Sequence, residues 1–198
     1  MSRAFPGRFF LAGGAFKTLL HGRCPHDLDL WPATLLDRQA LLLHLEALGA
    51  TLLGDNPPFQ TTFQFSGRRL EVAYDCTPVS LEERLSRFDL GLSAIGVDYA
   101  GGQWRGHVHP LAAESVQRRE VLVLRPLVNW KYLLATLERL HRYGEELGYG
   151  VPVQEEQYLW DLFEAQPRAS QKALMERHAR VAREGGAILT EARLRSRA

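Results

Sequence analysis

The chain is predicted to fold as an α/β (α+β) protein, with a small mixed sheet flanked by helices and a C-terminal helical part. Three observations predict this. Short apolar stretches alternating with period 2 recur between turn residues through the first 125 residues. A leucine-rich run from Leu35 to Leu48 has helical spacing. From Pro126 onward, Leu127, Trp130, Leu133, Leu134, Leu137, Leu140 and Leu147 recur at i, i+3, i+4 and i+7, as on one amphipathic helix of about five turns. The expected division is a sheet-bearing domain over 1–125 and a helical region with a basic tail over 126–198.

The elements follow in order. Phe9-Phe10-Leu11-Ala12 reads as a strand, Gly13-Gly14 as a turn and Phe16 to Leu20 as a short helix. The loop His21-Gly22-Arg23-Cys24-Pro25 leads into a second strand, Asp27-Leu28-Asp29-Leu30. Strand side chains alternate faces, so Asp27 and Asp29 point one way while Leu28 and Leu30 point into the core. Two like charges on one strand face repel each other. A hard divalent cation such as Mg2+ neutralises such a pair and keeps positions open for phosphate oxygens. The glycines permit positive φ and close backbone approach ahead of a helix start.

Thr34 with Asp37 three residues later forms an N-cap for the Leu35–Leu48 helix, in which His44 is expected at the surface. Thr51-Leu52-Leu53 is strand-like, and Asp55-Asn56-Pro57-Pro58 is a loop or turn. Thr61 to Phe65 and Arg69 to Tyr74 alternate around Ser66-Gly67-Arg68, as in a β-hairpin. On its second strand Glu71 lies opposite Leu70 and Val72, and is the candidate third acid. Asp75, at the strand end, is the alternative. Ser80-Leu81-Glu82-Glu83 is a capping box. Ile95 to Tyr99 and Trp104 to Val108 form another hairpin, and His107 and His109 share a strand face without a third ligand nearby. Glu114 to Glu120 is a short polar helix or loop, and Val121 to Leu124 is apolar and strand-like. Helices are expected over Glu155–Ala165 and Arg168–Gly185, with Leu174 and Met175 in the core.

The bulk composition is that of a soluble globular protein, 45% hydrophobic and 24% charged. No apolar run approaches the roughly 18 residues of a membrane helix, and the N-terminal apolar run is needed for the first strand, so neither a membrane span nor a signal peptide is expected. Cys24 and Cys76 are far apart and read as reduced thiols of a cytoplasmic protein. Net charge is +1, but eight Lys/Arg face three Glu from Arg168 to Ala198, so the end of the chain is basic and suits a polyanionic partner such as RNA.

The ordered set strand, Gly13-Gly14-Ala15-Phe16-Lys17-Thr18-Leu19-Leu20-His21-Gly22-Arg23, Asp27-x-Asp29-Leu30 resembles the signature of the polymerase-β-like nucleotidyltransferases. It is most like the head of tRNA nucleotidyltransferases (CCA-adding enzymes) and bacterial poly(A) polymerases, GGAVRDxLLGRxxxDxDL, with Lys17-Thr18 where that family has Arg-Asp. A second likeness follows at Arg87-Phe88-Asp89, where the family has R-R-D, with Phe88 replacing the second Arg and Ser93 an Asn. A third is Arg142-Tyr143-Gly144 to Leu147-Gly148-Tyr149, similar to the R-F-A-x-x-L-G-F piece of the neck. The resemblance covers Phe9 to about Gly150 and implies a nucleotidyltransferase fold, with 1–125 as the catalytic domain.

It also implies metal-dependent transfer of a nucleoside monophosphate from an NTP to an acceptor hydroxyl, with release of pyrophosphate. Asp27, Asp29 and Glu71 are then the catalytic and metal residues of a two-Mg2+ site. Gly13, Gly14, Lys17, Arg23, Arg87 and Asp89 are then nucleotide contacts. The implied acceptor is RNA, the 3′ end of tRNA. The alternatives are a protein hydroxyl, as in toxin–antitoxin nucleotidyltransferases, and a catalytically silent nucleotide- or RNA-binding module. At 198 residues the chain is expected to be a reduced form of such an enzyme, with a partner subunit one possible source of the missing acceptor-binding surface.

Overall fold

The computed structural model describes residues 5–78 and 80–185. The last part of the basic tail, with Arg193, Arg195 and Arg197, lies outside them. The order is β1 (Arg8–Ala12), α1 (Gly14–Leu20), β2 (Asp27–Pro32), α2 (Leu35–Ala47), β3 (Thr51–Asn56), β4 (Gln60–Phe65), β5 (Arg68–Ala73), α3 (Leu81–Leu85), β6 (Ile95–Ala100), β7 (Gln103–Val108), α4 (Pro110–Arg118), α5 (Leu133–Leu147), α6 (Val153–Glu164) and α7 (Arg168–Gly185).

The strands form one seven-stranded sheet, β3-β4-β5-β2-β1-β6-β7. Only the β2–β5 pairing is parallel, so the sheet is mixed, as expected. β1 lies near the centre, and consecutive phenylalanines serve opposite faces. Phe9 packs with Leu30, Leu41, Leu45, Phe63 and Leu70 under α2. Phe10 packs with Ala33, Leu81 and Leu85 on the side of α3. Both predicted caps form: the Thr34 hydroxyl accepts from the Asp37 amide, and the Ser80 hydroxyl from the Glu83 amide.

A third core joins Leu90, Leu92, Val121 and Val123 to Leu133, Leu137 and Leu140 of α5 and to Leu159 and Leu174 of α6 and α7. Residues from both sides of the expected 125/126 boundary therefore share one apolar cluster. This core explains two differences from the sequence reading. Val121–Leu124 is not a strand but a buried connection with a single bridge, Val123 to Leu90. The periodic run from Leu127 opens as a loop and a 3-10 turn, Trp130–Tyr132, and α5 starts only at Leu133. Leu127 keeps the periodicity because it packs into the same core, its amide donating to the Tyr158 hydroxyl.

Smaller differences have local causes. β3 runs on through Asp55-Asn56, and the turn is tightened by Phe59 N–H donating to Asn56 O. α4 begins at Pro110 because the His109 ring caps it, accepting from Leu111 N, so His109 is not a strand partner of His107. His44 is half-buried against the Phe5 ring. Leu174 is buried, but Met175 is 42% exposed and outside the core. Cys24 and Cys76 are free thiols.

Candidate active site

The parallel β2–β5 register sets Asp29 directly beside Glu71, with Asp27 two residues away on the same face of β2. Burial pushes the Asp29 carboxyl up to about 7, helped by the negative charges of Glu71 and Asp27 and opposed by Arg139. Burial also raises Glu71, against the pull of Arg69 and with a push from Asp27. The Glu71 carboxylate is turned toward Arg69 Nε at 2.9 Å and accepts from Gln60 Nε2 at 2.9 Å. Among the described residues, no three His, Cys, Asp or Glu side chains are grouped as a metal-holding set. The hard oxygen donors of Asp27 and Asp29, with an electrostatic penalty already stored in Asp29, nevertheless fit a divalent cation.

The glycine pair serves close approach. Gly13 has φ +126°, and a Cβ there would stand 2.7 Å from Asp29 Oδ2. A Cβ at Gly14 would stand 3.1 Å from the Tyr143 hydroxyl. The two glycines line a cavity of about 270 Å3 together with Lys17, Asp27, Asp29, Phe88, Ser93, Arg139, Arg142, Tyr143 and Glu146. Its far wall is thus one face of α5, whose residues 139, 142, 143 and 146 follow the i, i+3, i+4, i+7 rule. Neither Arg139 nor Arg142 was among the expected nucleotide contacts. That spacing, aligned with the neck-like segment, was the signal for the wall.

Lys17 is nearly buried, ion-paired to Glu146 and stacked 3.9 Å from the Tyr143 ring centroid. Arg142 approaches the same Glu146 carboxylate at 3.7 Å. The structure does not bring Glu71, Arg23, Arg87 or Asp89 to the cavity wall, although Glu71 sits beside Asp29 across the β2–β5 pairing. Arg23 is exposed beyond α1. Arg87 pairs with Glu83 one helical turn back, at 3.1 Å, and makes no pair with Asp89. Asp89 is buried, where it accepts from Thr136 Oγ1 at 2.8 Å and lies 3.3 Å from Arg139. It acts on the cavity by holding Arg139.

Asp75 has a separate task. Burial raises it, but hydrogen bonds from Thr77 and Arg84 outweigh that and hold the carboxyl below its ordinary value. It anchors the buried Arg84 guanidinium. On the nucleotidyltransferase expectation, Glu71→Gln lowers transfer by roughly 10²-fold or more, while Asp75→Asn leaves turnover near wild type. Asp75→Asn lowers Tm instead. Because the folded-state pKa is depressed, the Tm difference is full at neutral pH and shrinks as pH falls below the ordinary Asp range. Paired activity assays and melting curves from pH 3 to 8 check both.

A larger cavity, about 520 Å3, opens beside α4 and the Leu122–Pro126 connection, but its cations are already engaged. Arg118 pairs with Glu114 and Glu120, and Arg125 with Glu155.

Comparison with known proteins adds the fold. No protein-family model and no curated protein matches the chain. Solved structures do match. A tRNA-processing enzyme in an apo form superposes with TM-score 0.64 at 19% identity, over 85% of this chain and 46% of that one. A tRNA nucleotidyltransferase complexed with a primer tRNA and an incoming ATP analog gives 0.62 at 19% identity, over 85% and 52%. The Thermotoga maritima CCA-adding enzyme complexed with tRNA gives 0.55 at 14% identity, over 85% and 42%. The chain spans about half the length of these proteins, and over that span its mixed α/β fold is that of the tRNA nucleotidyltransferase structures.

Proposed function

We propose that the chain transfers a nucleoside monophosphate from an NTP to an acceptor hydroxyl at an RNA 3′ end, that of tRNA. The observation that carries this reading is the half-buried Asp29, flanked by Asp27 and Glu71 and lining one cavity with the arginine-bearing side of α5. The likeness to tRNA nucleotidyltransferase structures supports it.

Asp27 and Asp29 would hold Mg2+, with Glu71 completing the set. When bound, the metal would neutralise the triphosphate and activate the attacking hydroxyl. The backbone at Gly13 and Gly14 lets the phosphate chain approach β1 and α1. Arg139, fixed by Asp89, and Arg142 offset phosphate charge across the cavity. The acceptor oxygen bonds to the α-phosphorus as the bond to pyrophosphate breaks, and the hydroxyl proton is released. Lys17 joins the phosphate contacts once it parts from Glu146. Glu146→Gln is accordingly expected to lower the KM for the NTP about 3- to 10-fold, since one anion fewer competes for Lys17 and Arg142. Steady-state kinetics with varied Mg-NTP checks this.

The test uses purified protein, Mg2+, each α-labelled NTP in turn, and total tRNA mixed with whole-cell protein. Asp27→Ala, Asp29→Ala protein is the control. Label in tRNA that the control lacks is the expected result. Label in protein moves the acceptor to a protein hydroxyl, and no label with NTP binding retained makes the chain a silent nucleotide-binding module.

A further inference from the structure

We propose that the 3-10 turn Trp130–Tyr132, with the cations around it, is a docking platform for the single-stranded end of an RNA, leading it toward the cavity. This rests on the RNA reading above and adds where the strand lies. The turn is closed by Tyr132 N–H donating to Asn129 O at 2.9 Å. In a 3-10 turn residues i and i+3 eclipse, so Asn129 and Tyr132 share a side. On that side Asn129 Nδ2 donates to the Arg87 carbonyl at 3.2 Å, and the Arg177 guanidinium stands 5.3 Å from the Tyr132 ring centroid.

Three features give this patch the character of a nucleic-acid surface. Trp130 and Tyr132 are 37% and 40% exposed, although the apolar core lies directly beneath at Leu133 and Leu134. Lys131 is exposed on the same turn. Neither Lys131 nor Arg177 forms an ion pair with a described residue. Half-exposed aromatic rings beside unneutralised cations are what a single strand needs, since bases stack on the rings while phosphates meet the charges.

The platform is continuous with the site. Arg87, whose carbonyl holds Asn129, is followed by Phe88 in the cavity wall. α5 starts at Leu133, directly after the turn, and delivers Arg139 and Arg142 to the cavity about 9–14 Å further along its axis. A protein partner would also find aromatic and arginine anchors here. Lys131 and Arg177, which pair with no carboxylate among the described residues, favour a polyanion.

The test is fluorescence anisotropy of a labelled single-stranded RNA oligonucleotide with the full chain, across a KCl series. Trp130→Ala with Tyr132→Ala should weaken binding tenfold or more, while Tyr132→Phe keeps the stacking face and binds as wild type. Lys131→Ala with Arg177→Ala should flatten the dependence of log Kd on log salt by roughly 0.7 per lost phosphate contact. Mg-NTP binding and Tm report that each variant is folded. RNA affinity equal in wild type and the aromatic double variant overturns the platform and leaves the transferase reading intact. A wild-type chain that binds Mg-NTP but no RNA overturns the platform together with the RNA acceptor. A chain that binds RNA through these residues but no Mg-NTP overturns the transferase reading alone.

Discussion

Asp29→Asn should stabilise the protein at pH 8 while removing the proposed transfer activity. The folded-state pKa of Asp29 is about 7, against 3.8 for an unperturbed aspartate. Between those values the folded chain holds a proton that the unfolded chain releases, so stability declines as pH rises from about 4 to 7 and then levels off. A difference near three pKa values is worth on the order of 3–4 kcal/mol once Asp29 is fully ionised. Asparagine removes the charge. The gain in Tm should be roughly 5–10 °C at pH 8 and disappear near pH 4. Millimolar Mg2+ should raise Tm of the wild type at pH 8, by neutralising the same charge, and raise it less in the variant. Transfer should fall on the order of 10³-fold. Melting curves over pH, with and without Mg2+, separate this from a merely structural role, in which the variant would lose stability at every pH.

Gly13→Ala is expected to damage both fold and site. At φ +126° and ψ −156° the backbone occupies a region essentially restricted to glycine, and an L side chain there costs about 1–3 kcal/mol. The new methyl would also stand 2.7 Å from Asp29 Oδ2, so the carboxylate must move. Transfer should drop by roughly 10²-fold or more, because a displacement near 1 Å at a reacting centre has that effect. Gly22→Ala is the comparison. It lies in the same sequence motif at φ +69°, with nothing within 4 Å of its Cβ position. It should cost about 1–2 kcal/mol through backbone strain alone and leave kcat unchanged.

The contrast between these two glycines shows what could be read locally. The alternation in Asp27-x-Asp29 and in Leu70-Glu71-Val72 set the faces of those acids without any tertiary information. That β2 and β5 are parallel neighbours, which puts Glu71 beside Asp29, is a sheet-level fact that neither strand encodes alone. Lys17 was legible as a residue of the glycine turn's helix, but its partner Glu146 is 129 residues away. Asp89 was expected at the nucleotide. It is instead buried by Thr136 and Arg139 from α5, a contact between distant segments that local spacing does not specify. The late start of α5 has the same origin. Leu127 and Leu133 serve one core, so apolar periodicity continued through residues that are not helical.

The most direct measurement is calorimetric titration of each NTP into the protein, with and without Mg2+, compared with Asp27→Asn, Asp29→Asn protein. Mg2+-dependent binding in the wild type that is lost in the double variant is the result expected of a metal-dependent nucleotide site at β2. Binding of equal strength in both proteins, or binding indifferent to Mg2+, would contradict it.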